Sequence, residues 1–151
     1  MKKEFENIPK KAGFYLQNGT PCPYAKSFQI SDDLYKLEHD LYYRSIDGRI
    51  FVVRKGFIHD GASKAFLKHF GKYTNAAILH DALFGTQKLP RNEADNLFLE
   101  AMQVLQVAYI RRYAYYWMVV CLGWKAWNDK TDEQRQINQK YLEVYDEKVS
   151  N

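Results

Sequence analysis

The chain has 151 residues and a mass of 17.9 kDa, which is room for one domain of ordinary size. Hydrophobic residues make up 46% and charged residues 26%, a composition that excludes a disordered chain. Twenty-two basic against 18 acidic residues leave a net +4. This scattered excess gives no ground for expecting nucleic acid.

Residues 1 to about 30 read as an irregular segment, with Pro9, Pro21, Pro23 and the turn signal Asn18-Gly19. The basic start, Met1-Lys2-Lys3, has no apolar stretch behind it, so no secretory signal is expected. Residues 34–57 read as β. Leu34-Tyr35-Lys36-Leu37 leads to Leu41-Tyr42-Tyr43-Arg44, and Ile50-Phe51-Val52-Val53 follows Asp47-Gly48, a strong hairpin signal between β-forming runs.

Residues 73–148 read as three or four helices with no convincing strand. Ala76, Ala77, Leu79, His80 and Leu83 share one face of the first, with Asn75 as its N-cap and Gly85 as its stop. Pro90 opens the second, whose stripe is Ala94, Leu97, Phe98, Ala101, Met102 and Leu105. The third spans about Ala108 to Trp127 and is apolar nearly all round in its second half, which predicts a central buried helix. Thr131-Asp132-Glu133-Gln134 has the form of a capping box. It starts a last helix turning Ile137, Tyr141, Val144 and Tyr145 inward. Strands first and helices after predict an α+β domain over 1–151: an N-terminal antiparallel hairpin or small sheet, then a helical bundle.

Two cysteines, Cys22 and Cys121, are too few and too far apart for a structural zinc site, and whether they pair is left open. The longest charge-free run, Tyr113 to Trp124, is well short of the ~20 residues a membrane-spanning helix needs. Arg111-Arg112 ahead of Tyr113, Tyr115, Tyr116 and Trp117 suggests an interfacial helix. Core packing is the reading that helical spacing favours.

The residues able to carry chemistry crowd into the middle third: His59-Asp60-Gly61-Ala62-Ser63, His80-Asp81, Arg91 and Asp95. Neighbouring helical residues point about 100° apart, so His80 and Asp81 must serve different partners. Asp95 sits on the edge of its apolar stripe, where a carboxylate needs a donor. His80, across the short link Gly85–Leu89, is that donor. A histidine held by a carboxylate has a fixed tautomer and suits a general base acting on water. Asp81 is then expected to face the Asp60-Gly61-Ala62-Ser63 turn, where carboxylates and glycine-loop carbonyls form the hard oxygen set that suits Ca²⁺. The plainer alternative is a satisfied polar pair that pins helix register, with Asp60 and Ser63 capping a turn at Gly61. Arg91 reads as a surface or capping-pair residue, and His39, His59 and His69 show no ligand spacing.

Gly56-Phe57-Ile58-His59-Asp60-Gly61-Ala62-Ser63, Tyr73 through Phe84 with His80-Asp81, and Arg91 through Met102 with Ala94-Asp95 resemble the DUF1353 family over about residues 34–125. That family consists of small proteins of unassigned function, mostly from bacteriophages and prophages. His59 stands where the family usually has Thr, Phe84 where it has Tyr, and Lys64-Ala65 lacks its proline. The histidine-aspartate helix followed by an alanine-aspartate helix is also similar, more distantly, to the helix pair of phospholipases A2. That similarity implies His80 as base, Asp95 as the orienting acid, and Asp81 with the Asp60–Gly61 loop as calcium ligands. It implies hydrolysis of a lipid or other acyl ester, while the DUF1353 resemblance implies a phage or prophage protein, in the host cytoplasm or the virion. The alternative is a non-catalytic module that docks on a virion or host protein.

Overall fold

A computed structural model of the protein describes residues 4–60 and 72–148. The first strands are β1 (Gly13–Tyr15), β2 (Ser27–Ser31), β3 (Leu34–Leu37), β4 (Leu41–Arg44), β5 (Arg49–Val53) and β6 (Ile58–His59). Four helices follow, α1 (Thr74–Thr86), α2 (Arg91–Val104), α3 (Tyr109–Asn128) and α4 (Asp132–Gln139), and then β7 (Leu142–Asp146). The architecture is α+β, with antiparallel strands in two sheets, ordered β1-β4-β5-β7 and β2-β3-β6.

Alternation along β4 and β5 explains the larger sheet. Tyr43, Phe51 and Val53 join the cluster built with α1 and α2, whereas Tyr42, Ile50 and Val52 pack with Ile8, Phe5 and Tyr145 on the opposite face. Successive side chains point to opposite faces, so a strand covered on both sides reads as an unbroken apolar run. Gly48, at φ +94°, closes the β4–β5 hairpin in a conformation that glycine adopts without strain.

The structure corrects several sequence expectations. The N-terminal segment contains β1 and part of β2. The last apolar stretch is a strand: α4 ends at Gln139, and β7 pairs along β5 from Leu142↔Val53 to Asp146↔Arg49. Tyr141, Val144 and Tyr145 mimic helical spacing. Leu142-Glu143-Val144-Tyr145 nonetheless has the alternation and β-forming side chains of a half-buried strand. Ile137 is exposed rather than turned inward.

The central helix is α1, not α3. Every residue of α1 except Asp81 is buried, and no residue of α3 is. Small residues explain the difference. Ala76, Ala77, Ala82 and Gly85 let neighbours approach closely, and a Cβ on Gly85 would lie 3.0 Å from the Asn138 side chain on α4. Gly85 therefore serves a close approach, and the helix stops two residues later, where Gln87 turns left-handed at φ 50°. Asn75 is no cap. It lies inside the first turn, accepting from Ala25 N–H at 2.8 Å and donating to the Cys22 carbonyl at 2.6 Å. The capping box at Thr131 and Gln134 is present on α4. Cys22, buried, and Cys121, exposed, are both free thiols. Among the described residues no helix is long and apolar enough to cross a membrane.

Candidate functional site

α1 and α2 pack against each other, and the site lies in their seam. His80 points from α1 toward α2, and its Nε2 lies 2.8 Å from Oδ1 of Asp95. Both residues are buried, at 7% and 3% exposure. A carboxylate only accepts, so Nε2–H is the donor and Nδ1 keeps its lone pair. Nδ1 has no hydrogen-bond partner among the described residues. The rings of Phe84 and Phe98 sit 4.3 and 4.8 Å from the imidazole, which fixes its plane.

Arg91 lies one turn before Asp95, with Nε 3.7 Å from the second carboxylate oxygen. Its guanidinium reaches over to α3 and donates to the carbonyls of Val119, at 3.1 Å, and Val120, at 2.5 Å. The residue read as a surface or capping-pair position thus bridges the Asp95 carboxylate to the third helix.

On its open side the imidazole borders a cavity of about 200 Å³. Asp60, Asp81 and Phe98 line it, and α3 supplies Tyr115, Met118 and Leu122. Asp81, one residue on from His80, turns away from Asp95 and hydrogen-bonds the Asp60 side chain. Burial pushes the Asp81 carboxyl well above the usual carboxylate range, and the charge of Asp60 and the bond to it push the same way. The Asp60 backbone N–H and the Lys130 ammonium pull it back in part. A second cavity, about 250 Å³, shares this acid pair in its wall and is lined also by His59, Lys130 and Asn138.

His59, expected to be structural or exposed, is buried in the small sheet. Its Nε2 is 2.8 Å from Ser27 Oγ, and Tyr35 and Phe57 stack beside it. Burial lowers its pKa to about 4, against a smaller upward pull from Asp60. His39 accepts at Nε2 from the Lys26 N–H at 2.9 Å.

Gly61, Ser63 and His69 lie outside the described residues. Among the described residues no group of three or more His, Cys, Asp or Glu side chains could hold a metal ion. Asp60 and Asp81 are the oxygen donors that the structure brings together. Lys130 and Asn138 carried no signal in the sequence, because tertiary packing alone carries them to the acid pair from the α3–α4 link and from α4.

A family model described as "Protein of unknown function (DUF1353)" matches residues 35–119. No curated protein and no solved structure matches the chain.

Proposed function

The chain belongs to the DUF1353 family, and from its α1–α2 seam we propose that it is a phage or prophage hydrolase in which His80 activates water against an ester or related acyl bond. The observation that carries this reading is the placing of one imidazole between a buried carboxylate and a cavity. Asp95 holds the proton on Nε2, so Nδ1 is the nitrogen able to take one from water. As it does so the ring becomes cationic, and the Asp95 carboxylate 2.8 Å away stabilises that charge. Phe84 and Phe98 prevent the ring from rotating out of line. The similarity of the helix pair to that of phospholipases A2 supports the same roles.

Asp60 and Asp81 fit a calcium ion as part of its ligand set. They are hard oxygen donors pressed together in a desolvated wall, and a divalent cation would relieve their repulsion. Calcium, when bound, supplies positive charge near the acyl oxygen on which negative charge develops. The apolar side of the His80 cavity suits an acyl chain of a lipid or a simpler ester.

A non-catalytic virion or host-interaction module is the second reading, and the 7% exposure of His80 favours it. A satisfied buried pair also fixes how two helices meet. The assay that separates the readings follows acyl release from mixed phospholipids and simple acyl esters, with and without calcium. Calcium-dependent release that falls about 10³-fold in His80→Gln is expected for a lost general base. A folded wild-type protein that releases no acyl group from any of these substrates would leave the second reading standing. Asp81→Asn tests the cation separately. At a pH above the folded pKa of Asp81 it raises the melting temperature of the metal-free protein, because there the two carboxylates repel. It also abolishes the calcium-induced stabilisation, about 2.7 kcal/mol at a hundredfold excess over Kd in the wild type. An Asp81→Asn protein that keeps the calcium response would remove Asp81 from the ligand set.

A further inference from the structure

Positions 110, 114, 117, 121 and 124 of α3 fall within an arc of about 80° at 3.6 residues per turn. They are Ile110, Ala114, Trp117, Cys121 and Trp124, and all five are exposed. Ile110 is 84% exposed, and Trp117 and Trp124 are each 56%. This outward stripe runs about 21 Å along the helix. A continuous apolar stripe on a surface helix marks a docking face. The other side of α3 is engaged with the domain, since Tyr115 packs edge-on to Tyr73 and Trp127 to Phe84.

Charge indicates what covers the stripe. Between Tyr109 and Asn128, α3 carries Arg111, Arg112 and Lys125 and no acidic residue. Arg111 and Lys125 are exposed on one flank of the stripe, while Arg112 is held over the rings of Tyr109 and Tyr113. Lys125 meets Asp129 one turn on, an exposed pair of the kind that exchanges readily. Antiparallel pairing of two copies through the stripe would set Arg111 of one against Lys125 of the other. An anionic layer with an apolar interior complements both features, and Trp and Tyr are the side chains that settle at a headgroup boundary.

We propose that α3 docks the protein onto anionic lipid surfaces, with the Ile110–Trp124 stripe entering the headgroup–acyl boundary and Arg111 and Lys125 facing lipid phosphates. The proposal stands apart from the hydrolase reading, because adsorption needs no turnover. If both hold, the lipid-facing helix is also the wall of the His80 cavity, since Met118 and Leu122, on the flank that carries Arg111 and Lys125, line that space.

All three tryptophans of the chain, Trp117, Trp124 and Trp127, lie on α3, so intrinsic emission reports on this helix alone. The full chain is titrated with phosphatidylglycerol–phosphatidylcholine vesicles and with phosphatidylcholine vesicles, reading emission and co-sedimentation. The expected result is a blue shift and sedimentation with the anionic vesicles, weakened by salt. Trp117→Ser combined with Trp124→Ser lowers partitioning about tenfold or more. Arg111→Gln and Lys125→Gln lower it about fivefold each. Ile110→Ser, at the most exposed position, repeats the apolar test where folding is least at risk. Absence of binding to anionic vesicles overturns the proposal, as does binding indifferent to all of these variants. A wild-type dimer that the stripe variants dissolve would overturn it in favour of self-association.

Discussion

His59 in the small sheet and His80 in the helix seam are both buried, yet their surroundings differ in kind. His59 is bonded to the Ser27 hydroxyl and stacked among rings. His80 is bonded to a carboxylate, and each of the two histidines borders a cavity. A hydroxyl gives an imidazole no counter-charge, so burial dominates at His59 and holds it neutral, with a pKa lowered to about 4. A carboxylate can balance a proton that arrives on the ring. Burial alone therefore marks neither a structural nor a reactive histidine, and the partner atom decides.

The largest effect expected from this contrast is on turnover. His80→Gln is expected to lower acyl release about 10³-fold, while His59→Gln stays within about threefold of wild type. Equal losses in the two variants would erase the distinction. Next in size is the response to acid. Because the folded pKa of His59 is near 4 and its ordinary value is 6.5, the unfolded chain takes up the proton first as pH falls. Stability on this account is full above about pH 6.5, declines between 6.5 and 4, and has lost about 3 kcal/mol below that window. Denaturant melts across the window should show the decline in wild type and a flatter limb in His59→Gln. Asp81 acts with the opposite sign. Its raised carboxyl favours the folded state at low pH, and that contribution is lost as pH rises through the folded pKa. Asp81→Asn should therefore steepen the acid decline.

Smaller effects sharpen the comparison further. Asp95→Asn replaces a buried charged acceptor and is expected to cost about 2 kcal/mol in urea melts, whereas Ser27→Ala, at a neutral bond, costs about 1 kcal/mol. The reverse order would place the stronger interaction in the sheet. Thr131→Ala, remote from both histidines, removes the α4 cap for about 1 kcal/mol and should leave both pH profiles unchanged.

The legible parts of the molecule were those in which local chemistry and tertiary packing agree. Asp47-Gly48 sits where a hairpin needs a positive φ, Thr131 and Gln134 cap each other, and Ala94 through Met102 show one inward stripe. The His80–Asp95 contact was foreseeable because a buried carboxylate on α2 needs a donor and the preceding helix offers one imidazole. The exchange of roles between α1 and α3 was hidden because apolarity does not say which way a helix faces. On α3 the apolar side chains include the outward stripe, while α1 is buried through small residues. β7 was hidden by a coincidence of spacings, since Tyr141, Val144 and Tyr145 satisfy a helical template while the chain alternates. Lys130 and Asn138 were invisible to any local pattern, since only the completed fold brings them beside Asp60 and Asp81.

The pairing of β7 with β5 ties residues 142–146 to residues 49–53, and all four helices belong to the loop closed by that seam. Bringing such distant stretches together costs chain entropy before any contact repays it. The histidine-bearing seam sits inside a loop whose ends the β5–β7 pairing fastens. A chain clipped just ahead of Leu142 would lose no residue of the His80–Asp95 pair, yet it would release the clasp that keeps those helices in register.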